Sequence, residues 1–324
     1  MQAITLRSVL ERYAVLQGLT DRTVTLYTHT LDRFRDCLGH EPTIDDLDDY
    51  VVAKFLKWRA TTPHRGRICS PASVAKDKAQ LVSMANFAAK KRMRRSDGEI
   101  VEFLSLPRVR TIRHAPQAYT IDEVRRLILE ARKREGQVGG HPAGWWWSTI
   151  IHTAWETAER IGALMALRWD DVDLDGRAVL FRAETRKGRS NDLLRPITPA
   201  LADALRPEVR QPDELVWPWD RKQLTSLWTS LKLICKRAGC RGTGFHGLRK
   251  SSASYLAAAG GDATEHLGHA KPEVTRQHYL DRRITQTRTA VDFLPPLGLD
   301  DEPEQAGSDE GKDENLDATT RRPA

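Results

Sequence analysis

The chain has few cysteines and no long apolar run. Its 324 residues include four cysteines, none in a Cys-x-x-Cys pair, which argues against a zinc knuckle or a disulfide framework. No apolar stretch approaches the roughly 20 residues that span a bilayer, and the first residues lack the basic and then apolar pattern of a secretory signal. We therefore expect a soluble, cytoplasmic protein with reduced, structural thiols.

A calcium loop is present only in part. Residues 171–176 match the start of such a loop, but the position that requires a bidentate glutamate holds Arg182. The segment instead predicts a turn that leads into a strand over 178–181, with a return strand near 193–197. No metal site is predicted.

Positive charge dominates most of the chain. The formal net charge is +7; residues 300–324 hold nine acids and three bases, so they carry −6 and the remainder carries +13. A body this basic favours a polyanion, because each neutralised phosphate releases counterions, although charge alone does not separate DNA from RNA or an anionic membrane. The acidic end, residues 296–324, has the composition of a disordered tail.

Residues 1–106 have the pattern of a helical domain. Apolar side chains recur at helical spacing in four segments, over about residues 6–16, 21–34, 43–58 and 71–93. Thr20 is placed to cap the second helix, and Pro63 ends the third.

A basic cluster lies between residues 65 and 113. This segment contains twelve Lys or Arg residues and only four acidic residues. Cations at a helix C-terminus complement its dipole, and for any single residue that role is the simpler interpretation. The cluster as a whole predicts a DNA-binding surface. Its candidate contacts are Lys76, Lys90, Lys91, Arg92, Arg94 and Arg95. Residues 107–117 predict a basic, partly extended linker.

A second domain is predicted over residues 118–295. Thr120 is placed to cap its first helix, and three consecutive tryptophans, residues 145–147, open the next. Tryptophans can stack on bases. Because three consecutive positions point in different directions on a helix, most of this run is expected in the core.

Residues 157–169 predict one apolar helix that is interrupted by Arg160. A buried or cleft-facing arginine must find an anion. From spacing alone, pairing with Glu156 or Glu159 is the favoured interpretation.

The last third of the chain holds residue types suited to a phosphodiester. His246 and Arg249 are three apart, which places both on one face of a helix, and His269 and Tyr279 follow. Arginine offers a planar fork for phosphate oxygens, histidine shuttles protons, and tyrosine is a nucleophile once a neighbour accepts its proton. The rival Tyr255 is expected in the core.

The turn between the two predicted strands is a basic hairpin tip. The tip contains Lys187, and its neighbours Arg186 and Arg189 are candidate DNA contacts. Basic tips often serve solubility alone, but a flexible arm of this kind can reach a phosphate.

In this order, these segments resemble the tyrosine recombinase, or phage-type integrase, family over roughly residues 5–292. Arg160 with the following Leu-Arg-Trp-Asp-Asp-Val-Asp is similar to the first arginine box of the family. Phe245-His246-Gly247-Leu248-Arg249 is similar to the second, and Leu267-Gly268-His269 with residues 275–279 to the closing box.

The resemblance implies a mainly α catalytic domain with a small β-sheet (α+β) and an all-α, SAM-like N-terminal core-binding domain. It implies a site-specific DNA recombinase that works through a 3′-phosphotyrosyl intermediate, without metal, ATP or another cofactor. The implied roles are nucleophile for Tyr279, phosphate clamp for Arg160 and Arg249, and supporting donors for His246 and His269. The implied general acid is Lys187, with Arg186 and Arg189 as alternatives.

The implied partners are double-stranded DNA and three further copies of the chain, as a homotetramer on two DNA sites, with an accessory DNA-bending protein as a further partner. Bound to DNA, the protein would be associated with a bacterial nucleoid. A helix over about residues 284–293 is predicted to pack on a neighbouring protomer. Two other functions stay open: a type IB topoisomerase-like nicking-closing enzyme, and a non-catalytic DNA-binding regulator.

The chain departs from the family pattern at several points. Ala163 stands where an acid is frequent, although Glu159 is near. The segment from residue 260 to 267 is about a turn shorter than usual, and the interval from His269 to Tyr279 is one residue longer. A slightly rearranged closing helix is therefore expected.

Overall fold

The computed structural model describes residues 3–64, 66–112, 114–186, 188, 191–219 and 225–286. The chain divides into two compact units, residues 1–114 and 115–324. Among the residues that the structure describes, no helix is long and apolar enough to cross a membrane.

Four helices build the first unit. They are α1 (Leu6–Gln17), α2 (Asp21–Leu38), α3 (Asp49–Thr61) and α4 (Pro71–Lys90). Thr20 caps α2 through its side chain, as predicted, and Ser70 caps α4 immediately before Pro71. The apolar faces of the helices meet in one core that includes Leu31, Phe34, Phe55 and Leu81.

Two predicted helix boundaries in this unit are wrong. The third helix begins at Asp49 rather than near Thr43, because Asp48 caps it by accepting from the backbone N–H groups of Tyr50 and Val51. Residues 44–46 form a separate 3₁₀ turn. The fourth helix ends at Lys90 rather than Met93, because the chain turns left-handed at Arg92 (φ 52°).

A buried carboxylate joins three helices of the first unit. Asp77 on α4 is 1% exposed and accepts hydrogen bonds from Thr30 Oγ1 on α2 (2.9 Å) and Arg59 Nε on α3 (2.9 Å). Lys76 Nζ lies 3.0 Å from the same carboxylate. This pairing satisfies a charge that would otherwise be costly to bury.

The second unit is mainly helical with two small antiparallel sheets. Its helices are α5 (Ile121–Arg132), α6 (Ala143–Thr157), α7 (Ile161–Leu164), α8 (Pro199–Leu205), α9 (Thr225–Arg237), α10 (Gly244–Ala258), α11 (Ala263–Leu267), α12 (Pro272–His278) and α13 (Arg282–Thr285). Its strands are β1 (Gln137–Val138), β2 (His141–Pro142), β3 (Val172–Asp173), β4 (Ala178–Phe181) and β5 (Leu193–Pro196). Strand β4 pairs with both β3 and β5, and Val179 lies opposite Arg195.

The tryptophan run belongs to the core, as predicted for most of it. Trp146 and Trp147 on α6 are 0% and 1% exposed, and only Trp145 is partly exposed. Because two of the three indoles are buried, they do not form a surface for stacking bases. Helix α6 packs against α5 and α10.

The prediction of one helix over residues 157–169 is wrong. Helix α6 ends at Thr157, Ala158 adopts the left-handed conformation (φ 51°, ψ 19°), and Arg160 is extended before the short α7. The break is held locally, because the Glu159 N–H donates to Thr157 Oγ1 and the Arg160 N–H donates to Glu159 Oε2. Arg160 thus stands at a bend instead of on a helix face.

The partial calcium motif is a turn between strands, as predicted. Asp173 Oδ1 accepts from the N–H groups of Asp175 and Gly176, and Arg182 Nε donates to Asp171 Oδ1 at 2.6 Å. Within the described ranges, no three His, Cys, Asp or Glu side chains are placed to share a metal ion. Helix α13 ends at Thr285 and overlaps the helix predicted over 284–293 at only two positions. The predicted positions from 287 onward lie outside the described residues, as does the predicted tail.

Candidate active site

Arg249 is the most buried charged group near the predicted nucleophile. It lies on α10 and is 1% exposed. Its Nη1 donates to the carbonyl of Ala158, and its Nη2 donates to the carbonyl of Leu267 at 2.7 Å. Both carbonyls are free because α6 ends at Thr157 and α11 ends at Leu267. Two helix ends therefore fix the plane of the guanidinium.

One nitrogen of this guanidinium is left for a ligand. Arg249 Nε is buried and has no hydrogen-bond partner in the described part of the chain. Burial and the nearby charge of Arg160 lower the pKa of Arg249 to about 10. A buried donor without an acceptor is costly, and Arg249 lines the same cavity as Arg160.

Arg160 lies beside the same cavity as Arg249. It lines a cavity of about 200 Å³ with Arg249, His246 and Trp228. No described residue accepts a hydrogen bond from its guanidinium. The pairing favoured by spacing alone is wrong, because Glu156 binds Thr198 and His152, and the side chain of Glu159 is engaged by Arg186.

Tyr279 packs against the other predicted catalytic residues of its own chain. Its ring centroid lies 4.5 Å from that of His269 and 5.1 Å from that of His246. Arg249 Cζ lies 5.5 Å from the ring centroid. His269 is held by Thr275, since its Nδ1 lies 2.9 Å from Thr275 Oγ1. The structure thus brings His246, Arg249 and His269 together with Tyr279.

The backbone on both sides of Tyr279 is fixed. The tyrosine carbonyl accepts from Ser254 Oγ (3.3 Å), and that hydroxyl accepts from the N–H of Asp281 (2.8 Å). Asp281 is buried and accepts from the N–H of Ala118 at 2.8 Å. Bonding to Arg283 and to the N–H of Ala118 lowers the pKa of Asp281 to about 2 against the opposing effect of burial. The anchored loop places the tyrosine despite the altered spacing before it.

The rival tyrosine has a structural position, as expected. Tyr255 is partly buried, its hydroxyl accepts from the N–H of Ile121 (3.1 Å), and its ring packs edge-on against Trp155. It ties α10 to the start of α5.

The hairpin residues are only partly described. Lys187 and Arg189 lie outside the described residues. Arg186 does not lie on an exposed tip, as a DNA contact would require, because it is 6% exposed and donates from Nε and Nη2 to Glu159 Oε1 (3.2 and 2.9 Å). Arg186 is therefore buried against Glu159 instead of exposed, and its role as a DNA contact stays a prediction.

The candidate DNA contacts of the first unit differ in their surroundings. Lys90, Lys91 and Arg92 are exposed at the end of α4. Arg94 is exposed but donates to the carbonyl of Gly98, and Arg95 is half-buried and donates to the carbonyl of Leu47 at 2.9 Å. Lys76 is exposed and pairs with Asp77. Arg95 is thus engaged in holding its own loop.

Two histidines near Arg249 are expected to make folding sensitive to pH. Burial and nearby cations lower the pKa of His266 from 6.5 to about 4. The pKa of His246 is lowered as well, but this side chain is exposed to solvent and contributes less to the pH dependence. The unfolded chain therefore binds protons that the folded chain does not, and stability falls as the pH drops from about 6.5 towards 4. Thermal unfolding between pH 7 and 5 measures this slope.

The control for this prediction is His266→Gln. His266 is the more buried of the two, and its Nε2 lies 2.8 Å from Ser252 Oγ, a bond that glutamine can restore. The variant should show a shallower fall of the unfolding midpoint with pH. An unchanged slope would contradict the assignment.

Comparison with known proteins decides the family. The sequence model of the phage integrase family matches residues 118–285. This segment is just over half of the chain and contains the site. The chain belongs to the phage integrase family. Its fold class, mainly α with a small β-sheet in the catalytic part and an all-α first unit, agrees with the prediction.

Relatives of this integrase-family chain align over most of its length. It is 28% identical over 300 residues to tyrosine recombinase XerD of Mycobacterium tuberculosis, covering 86% of this chain and 93% of that protein. The fold is similar to that of a lambda integrase dimer bound to a COC′ core site, with a TM-score of 0.63, 19% identity, and coverage of 86% and 78% of the two chains. It is also similar to XerH recombinase in a post-cleavage complex with palindromic difH, with a TM-score of 0.63, 16% identity, and coverage of 86% and 82%. The last two likenesses support the fold alone.

Sequence reasoning missed three residues that shape the site of this family member. Arg195 on β5 donates to the carbonyls of Glu265 (3.1 Å) and His266 (2.5 Å), which holds the end of α11. Asp281 and Ser254 hold the tyrosine loop. None of these contacts has a local sequence signal, since each joins segments that are far apart in the chain.

Proposed function

We propose that the chain is a site-specific DNA recombinase that cuts and rejoins DNA through a tyrosyl-phosphate intermediate. The observation that carries the proposal is that two arginines, Arg160 and Arg249, line one cavity and that Arg249 Cζ lies 5.5 Å from the centroid of the Tyr279 ring. Arg249 has a buried Nε with no partner among the described residues, and Arg160 faces the same cavity. A phosphodiester is an anionic group whose oxygens fit two guanidinium groups and whose phosphorus a tyrosine can attack.

The proposed cleavage step exchanges one phosphodiester for another. The Tyr279 oxygen bonds to phosphorus, its proton passes to a neighbouring imidazole, and the bond from phosphorus to the 5′ oxygen breaks. The 5′ oxygen then takes up a proton, and the 3′ phosphate remains on the tyrosine. Attack by a 5′ hydroxyl reverses the step, so the strand is rejoined with little change in energy.

Each other residue has a role that its chemistry supports. Arg249 and Arg160 would stabilise the charge that develops on the non-bridging oxygens, a task that does not require a metal when two guanidinium groups are present. His246 is neutral near pH 7, because its pKa is about 4, and it can donate one hydrogen bond or accept a proton. Lys187 is proposed as the acid that protonates the 5′ oxygen.

Double-stranded DNA is the proposed substrate, and several copies of the chain are the proposed assembly. XerH and lambda integrase, which share the fold, were solved on DNA as a cleaved complex and as a dimer. A homotetramer on two DNA sites, an accessory DNA-bending protein and docking of the segment after residue 283 on a neighbouring protomer are finer proposals. The exposed lysines at the end of α4 would contact DNA phosphates.

A nicked suicide duplex tests the proposal. Nicked duplexes are prepared with the sequences that flank the gene and are incubated with the protein in EDTA. A denaturing gel then detects any covalent complex. The complex should form, because no metal takes part in the proposed step. Binding without a covalent complex on any duplex would instead favour a regulator. Covalent complex without pairing of two duplexes would favour a nicking-closing enzyme.

A further inference from the structure

A buried ion pair joins two segments that each precede a proposed catalytic residue. Glu159 immediately precedes Arg160, and Arg186 immediately precedes Lys187. Glu159 is 2% exposed and Arg186 is 6% exposed. Two nitrogens of the guanidinium converge on Glu159 Oε1, at 2.9 and 3.2 Å. The pair therefore ties the bend at Ala158 to the start of the hairpin.

The two oxygens of Glu159 face different parts of the site. Oε1 accepts from Arg186, whereas Oε2 accepts from the Arg160 N–H at 3.1 Å and lies 3.9 Å from Arg249 Nη1. One carboxylate thus contacts the backbone of one clamp residue, lies near the guanidinium of the other and anchors the hairpin.

Arg186 also reaches the closing box. A Cβ at Gly268 would lie 3.1 Å from Arg186 Nη2, and Gly268 immediately precedes His269. The remaining nitrogen, Nη1, donates to the carbonyl of Asn191 at 3.2 Å. Arg186 is therefore packed between the segment of Arg160 and the segment of His269, and it also binds the returning arm of its own hairpin.

From this juxtaposition we propose that Glu159 and Arg186 are a positioning pair: by fixing Arg186 and the returning arm at Asn191, they restrict the position available to the next residue, the proposed general acid Lys187. The proposal rests on the proposed function and adds to it. Neither residue contacts DNA in this role. A buried pair is rarely justified by stability alone, because the cost of desolvation offsets the attraction. Its value here is geometric, since general acid catalysis requires the acid within hydrogen-bond reach of the leaving oxygen.

The test uses two forms of the duplex that supports covalent complex formation. One has an ordinary scissile phosphodiester. The other has sulfur in place of the bridging 5′ oxygen, so that the leaving group departs as a thiolate and needs no proton. The variants are Glu159→Gln and Arg186→Gln. The matched control is Arg182→Gln, which breaks the ion pair with Asp171 next to the same sheet.

Both pair variants should lose about 100-fold in the rate of cleavage of the ordinary duplex, which is the scale of general acid catalysis. On the sulfur duplex they should cleave within a few-fold of the unmodified protein, and Arg182→Gln should stay within a few-fold on both. Arg186→Lys keeps the charge but not the two-nitrogen contact, so its cleavage rate on the ordinary duplex should lie between those of Arg186→Gln and the unmodified protein. It is used in place of a glutamine variant that fails to fold.

Equal losses on the two duplexes would overturn the positioning role, because they would show that the pair supports Arg249 or the fold instead of the acid. No loss on either duplex would overturn it as well. Cleavage of the ordinary duplex by the unmodified protein is measured first and tests the proposed function separately.

Discussion

Tyr279→Phe is expected to abolish the covalent complex with DNA while leaving DNA binding unchanged. The substitution removes only the hydroxyl, and the ring keeps its packing against His246 and His269. Loss of an enzyme's nucleophile costs on the order of 10⁶-fold in rate, which places the product below detection. A denaturing gel with labelled nicked duplex measures the complex, and a native gel measures binding.

Tyr255→Phe is the matched control for that result. It removes a hydroxyl that accepts one backbone hydrogen bond from Ile121, so it should cost about 1 kcal/mol of stability and keep cleavage within a few-fold. Covalent product that survives in Tyr279→Phe and vanishes in Tyr255→Phe would show that the nucleophile has been assigned to the wrong tyrosine.

Arg249→Lys is expected to lower the cleavage rate by about 100- to 1000-fold, the scale for removing one donor to a developing anion. The planar guanidinium of Arg249 binds the carbonyls of Ala158 and Leu267 with two nitrogens, and its Nε remains for a phosphate. A lysine ammonium does not have this planar set of donors. Loss of one carbonyl contact should also cost about 1–3 kcal/mol of stability. Single-turnover cleavage and urea unfolding separate the two effects.

Arg241→Lys controls for the general effect of this exchange. Arg241 precedes α10 in the same unit and donates to Glu123 and to the carbonyl of Ala118. None of the described hydrogen bonds joins it to Tyr279 itself. It should lose less than a few-fold in cleavage. Full activity of Arg249→Lys would refute the role assigned to its fork.

Local signals in the sequence predicted much of the fold. Thr20 and Thr120 cap helices through side-chain contacts with residues three positions later, and Pro71 stands at a first helical position. Such features depend on neighbours within one turn of the chain, so the sequence alone contains them. The third helix was misplaced because two capping residues, Thr43 and Asp48, compete within a few positions.

Distant contacts explain what the sequence did not predict. An unbroken helix over residues 157–169 satisfies local propensity, and the break depends in part on Arg249, 91 positions from Ala158. Arg186 belongs to a basic run that is typical of exposed tips, and its partner Glu159 lies 27 positions away. The residue types at the site were thus predictable, whereas their orientation depended on pairs that only the folded chain brings together.

The bend at Ala158 couples the positions of Arg160 and Arg249. A non-glycine residue in the left-handed conformation costs roughly 1–2 kcal/mol, and this one turns its carbonyl to Arg249 while swinging Arg160 out of the helix. A change in the backbone at Ala158 is therefore expected to move both arginines. A related protein that kept both arginines but continued the helix through this position would have the same motif in its sequence. It would lack the arrangement in which Arg249 binds the Ala158 carbonyl and Arg160 lies outside the helix.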